Sequence, residues 1–268
     1  AFEGWNDAAE AASTAGRYLA TRSNARRFAS LDVEEFYDFT VARPHVRLEP
    51  DGSRRIEWPE PSFEAGHLNP RDIINFAAVE PSFRWKTFSA NVLSVAQELG
   101  AEMVITLGAL MADVPHTRPI RVTGTAADAT LAEQLGLIRS RYEGPTGIVG
   151  VIHDTFARAG IASVSLWATI PHYLSQIAPS PHGAMALVDR AADLLGCQVD
   201  LTELQIAGAA YERQVAGMVE ADDDLAEYVR RLEAERDDVE PSQPAFELPD
   251  REDLAAQVER FLREQRDD

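Results

Sequence analysis

Nine polar residues of this 268-residue chain have types and spacings that can do chemistry. Asn6 and Asp7 follow the first short apolar run, and Glu80 and Arg84 flank the end of another at Pro81. Asp113, His116 and Arg118 share the loop after the run 103–107, and His172 and Tyr173 come just after the run 161–167. A carboxylate and an imidazole brought together can exchange a proton, and a guanidinium beside them can bind an anion. Gathered at one edge of a sheet, the nine would line a cleft for a small anion or carboxylate, with Asp7 or His116 as acid/base. Each also has a structural reading. Asn6 or Asp7 can cap a helix, Arg118 can pair with Asp113, and a loop histidine after a proline can be satisfied by backbone carbonyls.

Familiar catalytic signatures are missing. The chain has no G-x-S-x-G elbow, no Walker A loop, no H-E-x-x-H and no G-x-G-x-x-G after its first strand. Nucleophile-elbow, P-loop, zinc-protease and dinucleotide chemistry therefore lack support. Gly144, Gly147 and Gly150 stand three apart around a helix start, where a phosphate can meet backbone N–H groups, although close helix packing explains them equally. The six histidines show no i,i+4 pair or other ligand spacing, so neither a metal nor a cofactor is expected.

The elements that must position these residues read as alternating strands and helices. Short apolar runs at 1–4, 27–31, 72–79, 103–107 and 161–167 predict strands. Helical spacing predicts helices over 8–19, 84–99, 127–135, within 143–160 and over 181–195. The runs 46–48 and 54–58, joined by Glu-Pro-Asp-Gly-Ser, predict a β-hairpin inserted into this pattern. Such alternation implies an α/β core over 1–199 with a largely parallel sheet covered on both faces. Beyond it, 200–236 reads as a helical extension with an apolar seam at Val215, Met218, Leu225, Val229 and Leu232. A proline-containing linker is expected over 237–250, and an amphipathic C-terminal helix over 251–268 carries Leu254, Val258, Phe261 and Leu262.

Composition narrows the function classes. A net charge of −19 argues against sequence-independent nucleic-acid binding, and −11 of it lies in the last 49 residues, which hold 18 acids and 7 bases. The longest apolar runs are too short to span a membrane or form a signal core, and the one cysteine, Cys197, cannot make an internal disulfide. The chain therefore reads as cytoplasmic.

Five blocks carry a family likeness: EGWNDAAEAA (3–12), VEPSFRWKTF (79–88), LGALMADVPHTRP (107–119), RYEGPTGIVGVIHDTFARAGI (141–161) and SLWATIPHYL (165–174). Together they resemble the proteasome assembly chaperone 2 family, in particular its actinobacterial branch of uncharacterised proteins, over about residues 1–235. The resemblance implies a three-layer α/β/α fold akin to phosphorylases and peptidyl hydrolases, and a homo-oligomer, plausibly a trimer. It also implies protein partners, because eukaryotic members assist proteasome ring assembly. Some archaeal relatives dock on proteasomes through a hydrophobic-tyrosine-any-residue tail, from which Gln265-Arg266-Asp267-Asp268 departs. The leading expectation is a non-catalytic oligomeric assembly or interaction protein. The alternative is a small-molecule enzyme of phosphorylase- or hydrolase-like fold using the polar cleft.

Overall fold

A computed structural model describes residues 1–139 and 142–237. The expected helix 251–268 and nearly all of the expected linker lie outside the described residues. The elements run β1 (Phe2–Glu3), a 3-10 turn (Ala8–Glu10), α1 (Ala11–Arg22), β2 (Arg26–Ser30), β3 (His45–Leu48), β4 (Arg54–Glu57), β5 (Ser62–Leu68), β6 (Arg71–Val79), α2 (Trp85–Glu98) and β7 (Met103–Ala112). After them come β8 (Val122–Ala126), α3 (Ala129–Gln134), β9 (Ile138–Arg139), α4 (Ile148–Arg158), β10 (Ala162–Pro171), a 3-10 turn (His172–Leu174), α5 (Pro181–Leu195), α6 (Thr202–Glu220) and α7 (Asp223–Asp237).

Local chemistry explains several boundaries. The Ser180 side chain accepts the Gly183 N–H, Pro181 supplies the fixed φ of a first helical position, and Gly196 closes α5 at φ 65°. The Asp128 side chain caps α3 by accepting the Leu131 N–H at 2.8 Å. In the ribbon turn, Ser53 N–H donates to Asp51 Oδ1 and Gly52 takes φ 82° at a point with nothing nearby to crowd a side chain.

Two four-stranded sheets form, ordered β1-β6-β5-β2 and β7-β10-β8-β9, and β3–β4 stands apart as a two-stranded ribbon. One parallel bridge, Asp7 with Ala109, links the two larger sheets. Because β1 is parallel to β6 and β7 to β10, the four strands β6, β1, β7 and β10 all run the same way. The flanks are mixed: β5 is antiparallel to β6, and β8 to β10, with β9 following β8, while β2, antiparallel to β5, again runs with the central four. The sheet is therefore mixed rather than mostly parallel, for two reasons legible after the fact. Strand β5, SFEAGHL, alternates too weakly to read as a strand, and β8, VTGTA, is a run of small residues that reads as a loop. Each adds antiparallel pairing at a flank.

The apolar residues separate by face. Val164, Leu166, Ala168 and Ile170 of β10 join Leu107 and Ala109 of β7 in a core shared with α1 and α5. Phe2, Phe63, Phe88, Ile148, Val149, Ile152 and Phe156 form the other core, with α2 and α4. Between β7 and β10 on that second side runs a polar line: the Thr106 hydroxyl donates to Ser165 Oγ at 2.8 Å, Trp167 Nε1–H donates to the same oxygen at 2.9 Å, and Ser163 Oγ meets His153 Nδ1 at 2.7 Å. These buried hydroxyls are thus satisfied. Among the described residues, no helix is long and apolar enough to cross a membrane.

Gly108 pairs with Trp167 across β7 and β10, and a Cβ on it would stand 2.7 Å from the indole. Gly108→Ala should cost about 1–3 kcal/mol by overpacking, read as a lower urea midpoint at an unchanged slope. Combined with Trp167→Leu, the loss should be smaller than the sum of the two single changes, because the residues touch. An unaltered midpoint for Gly108→Ala would show that the two positions do not face each other.

Candidate functional site

Extended chain sends neighbouring side chains to opposite faces, and this separates Asn6 from Asp7. The Asn6 carbonyl accepts the Ala109 N–H at 2.8 Å, which forms the bridge between the sheets. Asp7 then points to the α1 side. Its Oδ1 accepts the Ala12 N–H at 2.7 Å and the Ser13 N–H at 3.1 Å, so it caps α1 from five residues upstream. Reaching that position takes two consecutive left-handed residues, Ala9 (φ 47°) and Glu10 (φ 51°), a conformation that costs non-glycine residues energy. Asp7 is 8% exposed and its Oδ2 is buried without a protein partner. Burial pushes its carboxyl above the usual carboxylate range, against the opposing pull of its N–H donors.

Asn6 points to the α4 side, where its amide, with Oδ1 buried and without a hydrogen-bond partner among the described residues, lies against Gly147 as Glu80 does. Glu80 Oε1 accepts the Ile148 N–H at 2.8 Å, at the first turn of α4, and burial raises this carboxyl too. Gly147 is required at this contact. A Cβ on it would overlap the Asn6 amide and stand 2.8 Å from Glu80 Oε1. Gly147 thus lets the amide lie against the backbone, which is a packing role rather than a phosphate cradle. Arg84, also left-handed at φ 55°, turns away to pair with Glu35 at 2.5 Å.

The third and fourth junctions do meet each other, beneath α7. The Tyr173 hydroxyl accepts the His116 backbone N–H at 2.8 Å and lies 2.7 Å from His116 Nδ1. Burial lowers the His116 pKa and pushes the Tyr173 phenol up to about 12. Asp113 Oδ1 lies 3.0 Å from His172 Nδ1 and accepts the Tyr228 hydroxyl at 3.0 Å. Tyr228 comes from α7, its phenol also raised to about 12, first by burial and then by Asp113. The rings of His172, Tyr173 and Tyr228 stack edge to face with centroids 5.4–5.9 Å apart, and the Arg231 guanidinium lies 4.9 Å from the Tyr228 centroid.

Glu233 completes this contact. It accepts the Thr117 hydroxyl and lies 3.5 Å from Arg118, while Arg236 donates to the Pro119 carbonyl at 3.2 Å. Below these polar links, Val215 of α6 and Val229 and Leu232 of α7 are buried, as the apolar seam requires, with Met218 and Leu225 only partly covered. The four junctions therefore share one edge but not one cleft. Asp113, His116, Arg118, His172 and Tyr173 form a cluster tied to α7, with His116 and Tyr173 half-buried and Asp113 at its exposed rim. Asn6 and Glu80 both lie against Gly147, Asp7 faces the opposite side, and Arg84 points elsewhere. The α7 members Tyr228, Arg231 and Glu233 escaped the sequence reading because they belong to a helix 56 residues from His172 and more than 100 from the 113–118 loop, and no local motif marks them.

A shallow depression lies between α3 and α4, lined by Asp128, Leu131, Gln134, Ala157 and Ile161, and none of the nine candidates reaches it. Among the described residues, no group of three or more His, Cys, Asp or Glu side chains is placed to hold a metal ion.

The sequence profile of the PAC2 family matches residues 1–219. A PAC2 family protein from Streptomyces avermitilis is 43% identical and superimposes with a TM-score of 0.78, covering 85% of this chain and 97% of that one. A Mycobacterium tuberculosis proteasome-assembly chaperone homologue is 42% identical, with a TM-score of 0.76 over 85% and 97% of the two chains. An archaeal proteasome activator from Pyrococcus furiosus, 17% identical, shares the fold, with a TM-score of 0.63 over 80% and 90%. No curated protein matches the chain.

Asp7 makes the first testable point. An acid whose pKa is higher folded than unfolded holds its proton more tightly in the fold. Its penalty is absent below the unfolded value and grows as pH rises through the folded one. Asp7→Asn keeps an oxygen for both N–H groups and cannot ionise, so stability should fall less steeply as pH rises above about 4 than in the parent chain. Asp7→Ala leaves both N–H groups without their acceptor and should cost about 1–3 kcal/mol in urea unfolding. An Asp7→Ala chain as stable as the parent would remove the capping role.

Proposed function

Because this chain belongs to the PAC2 family, we propose that it is a non-catalytic assembly or interaction protein that binds other protein subunits, as proteasome assembly chaperones do. The observation that carries this reading is the state of the polar edge. Asp113, His116, Arg118, His172 and Tyr173 are engaged with one another and with α7, and the Asp7 and Glu80 carboxylates support helix starts. Residues committed in this way position elements rather than substrates. The family, and the likeness to a proteasome-assembly chaperone homologue at 42% identity, supply the protein-binding half of the reading. We take the core to be a three-layer α/β/α unit, which the two apolar clusters support, and the chain to act as a cytoplasmic homo-oligomer, plausibly a trimer.

One observation favours the second reading, a small-molecule enzyme of phosphorylase- or hydrolase-like fold. Strained backbone at Ala9 and Glu10 beside a buried carboxylate oxygen without a partner is a combination found at catalytic centres.

The test is to mix the full chain with the separated α and β proteasome subunits of Mycobacterium tuberculosis and record native mass spectra during ring assembly. The expected result is an intermediate containing this chain, with mature particles formed faster in its presence. Assembly proceeding at the same rate, with this chain in no complex, would overturn the proteasome form of the proposal.

A further inference from the structure

The β3–β4 ribbon is the most exposed apolar surface among the described residues. Val46 is directly opposite Ile56 and Leu48 is opposite Arg54, so Val46, Leu48 and Ile56 share one face. They are 58%, 73% and 55% exposed. The surface continues through Trp58, 49% exposed, whose ring packs edge to face on Phe39 at 4.8 Å, toward Val41, 63% exposed. An apolar patch of this extent on a protruding element marks a contact surface. Among the described residues the ribbon also has no hydrogen-bonded strand neighbour. A lone two-stranded ribbon is marginal in water and gains from being covered.

The opposite face is built differently. Arg47 pairs with Glu57 at 2.9 Å, and Arg55 pairs with Glu49 at 2.7 Å and with Glu57 at 2.6 Å. These exposed pairs lie on one face, while Val46, Leu48 and Ile56 share the other with a single charged residue, Arg54. Pro44 precedes β3, and Pro59 and Pro61 follow β4, so both ends of the arm have restricted backbone freedom. It is a pre-shaped arm, which lowers the ordering cost of a contact.

Charge indicates what covers it. Residues 43–60 carry four arginines and four carboxylates, a balanced stretch in a chain of net charge −19. Two copies of so acidic a protein repel wherever their bodies approach, and the repulsion is least where charge is balanced and apolar surface is available. We infer that the apolar face of the β3–β4 arm is a homotypic contact, covered by a second copy of this chain. The inference rests on the oligomeric part of the proposal above and names the surface that makes the oligomer. Salt then acts in a characteristic direction. Screening weakens repulsion between acidic bodies and leaves apolar contact intact, so association strengthens with ionic strength. An arm that gripped a basic protein partner through the chain's acidic surface would be released by salt.

The experiment is light scattering of the full chain over a dilution series at low and high salt, beside Val46→Asp/Ile56→Asp and a variant with 45–57 replaced by a short Gly-Ser turn. The parent should show a multiple of the single-chain mass that persists to lower concentration at high salt, and both variants should fall to the single-chain mass. A parent multimer retained by both variants overturns the arm contact while leaving an oligomeric protein. A single-chain mass for the parent at every concentration overturns both the arm contact and the oligomer. Circular dichroism accompanies each sample. Val46 and Ile56 are exposed, so an unfolded double variant would contradict the arm's exposure and overturn the inference as well.

Discussion

The fold depends on the way one extended dipeptide is shared between two sheets. Asn6 gives its carbonyl to Ala109, and that contact joins β1 and β6 to β7 and β10. The residue beside it, Asp7, spends its carboxylate on the first free N–H groups of α1. One step of chain thus fixes the relation between the sheets and the position of a helix on them. The next two residues adopt left-handed backbone to make the turn possible. Ala9 and Glu10 bear that strain because α1 is anchored downstream, with Ala11, Ala12 and Ala15 fully buried against the sheet and α5.

The polar edge follows from the same geometry. Parallel strands deliver their carboxyl ends to one side, and there the chain has placed many groups able to titrate or bind. What decides their role is the covering element. Helix α7 brings a phenol to Asp113 and His172, a carboxylate to Thr117 and Arg118 and a guanidinium to the Pro119 carbonyl, and buries Val229 and Leu232 below them. A set that reads as a cleft in an uncovered sheet becomes the docking seat of a helix. Burial favours the neutral forms of His116 and Tyr173, as suits a contact between elements.

Much of this organisation is legible in the sequence, unevenly. The inserted ribbon was readable because Pro-Asp-Gly between two short runs has one turn chemistry, and α5 because serine, proline and glycine punctuate it fully. That the four polar junctions share an edge also follows from strand and helix alternation. Three things were hidden. Strand β5 has too little apolar alternation, β8 too many small residues, and the partition of Asn6 from Asp7 depends on which way an extended pair is turned when it reaches Ala109. The partners from α7 are a long-range fact, and spacing along the chain carries no information about them.

The place where the arm enters the fold has an entropic meaning. Strands β2 and β5 are antiparallel neighbours, a relation that a turn of two to five residues can satisfy, yet segment 31–61 lies between them. Closing a loop of roughly thirty residues instead of about four takes about three doublings of length, or about 2 kcal/mol. Phe36 and Tyr37 offset part of this by burying themselves beside Phe88. The ribbon at the far end of the loop leaves Val46, Leu48 and Ile56 more than half exposed, so it returns little burial to the chain that carries it. An element kept on such terms draws its return from outside the monomer.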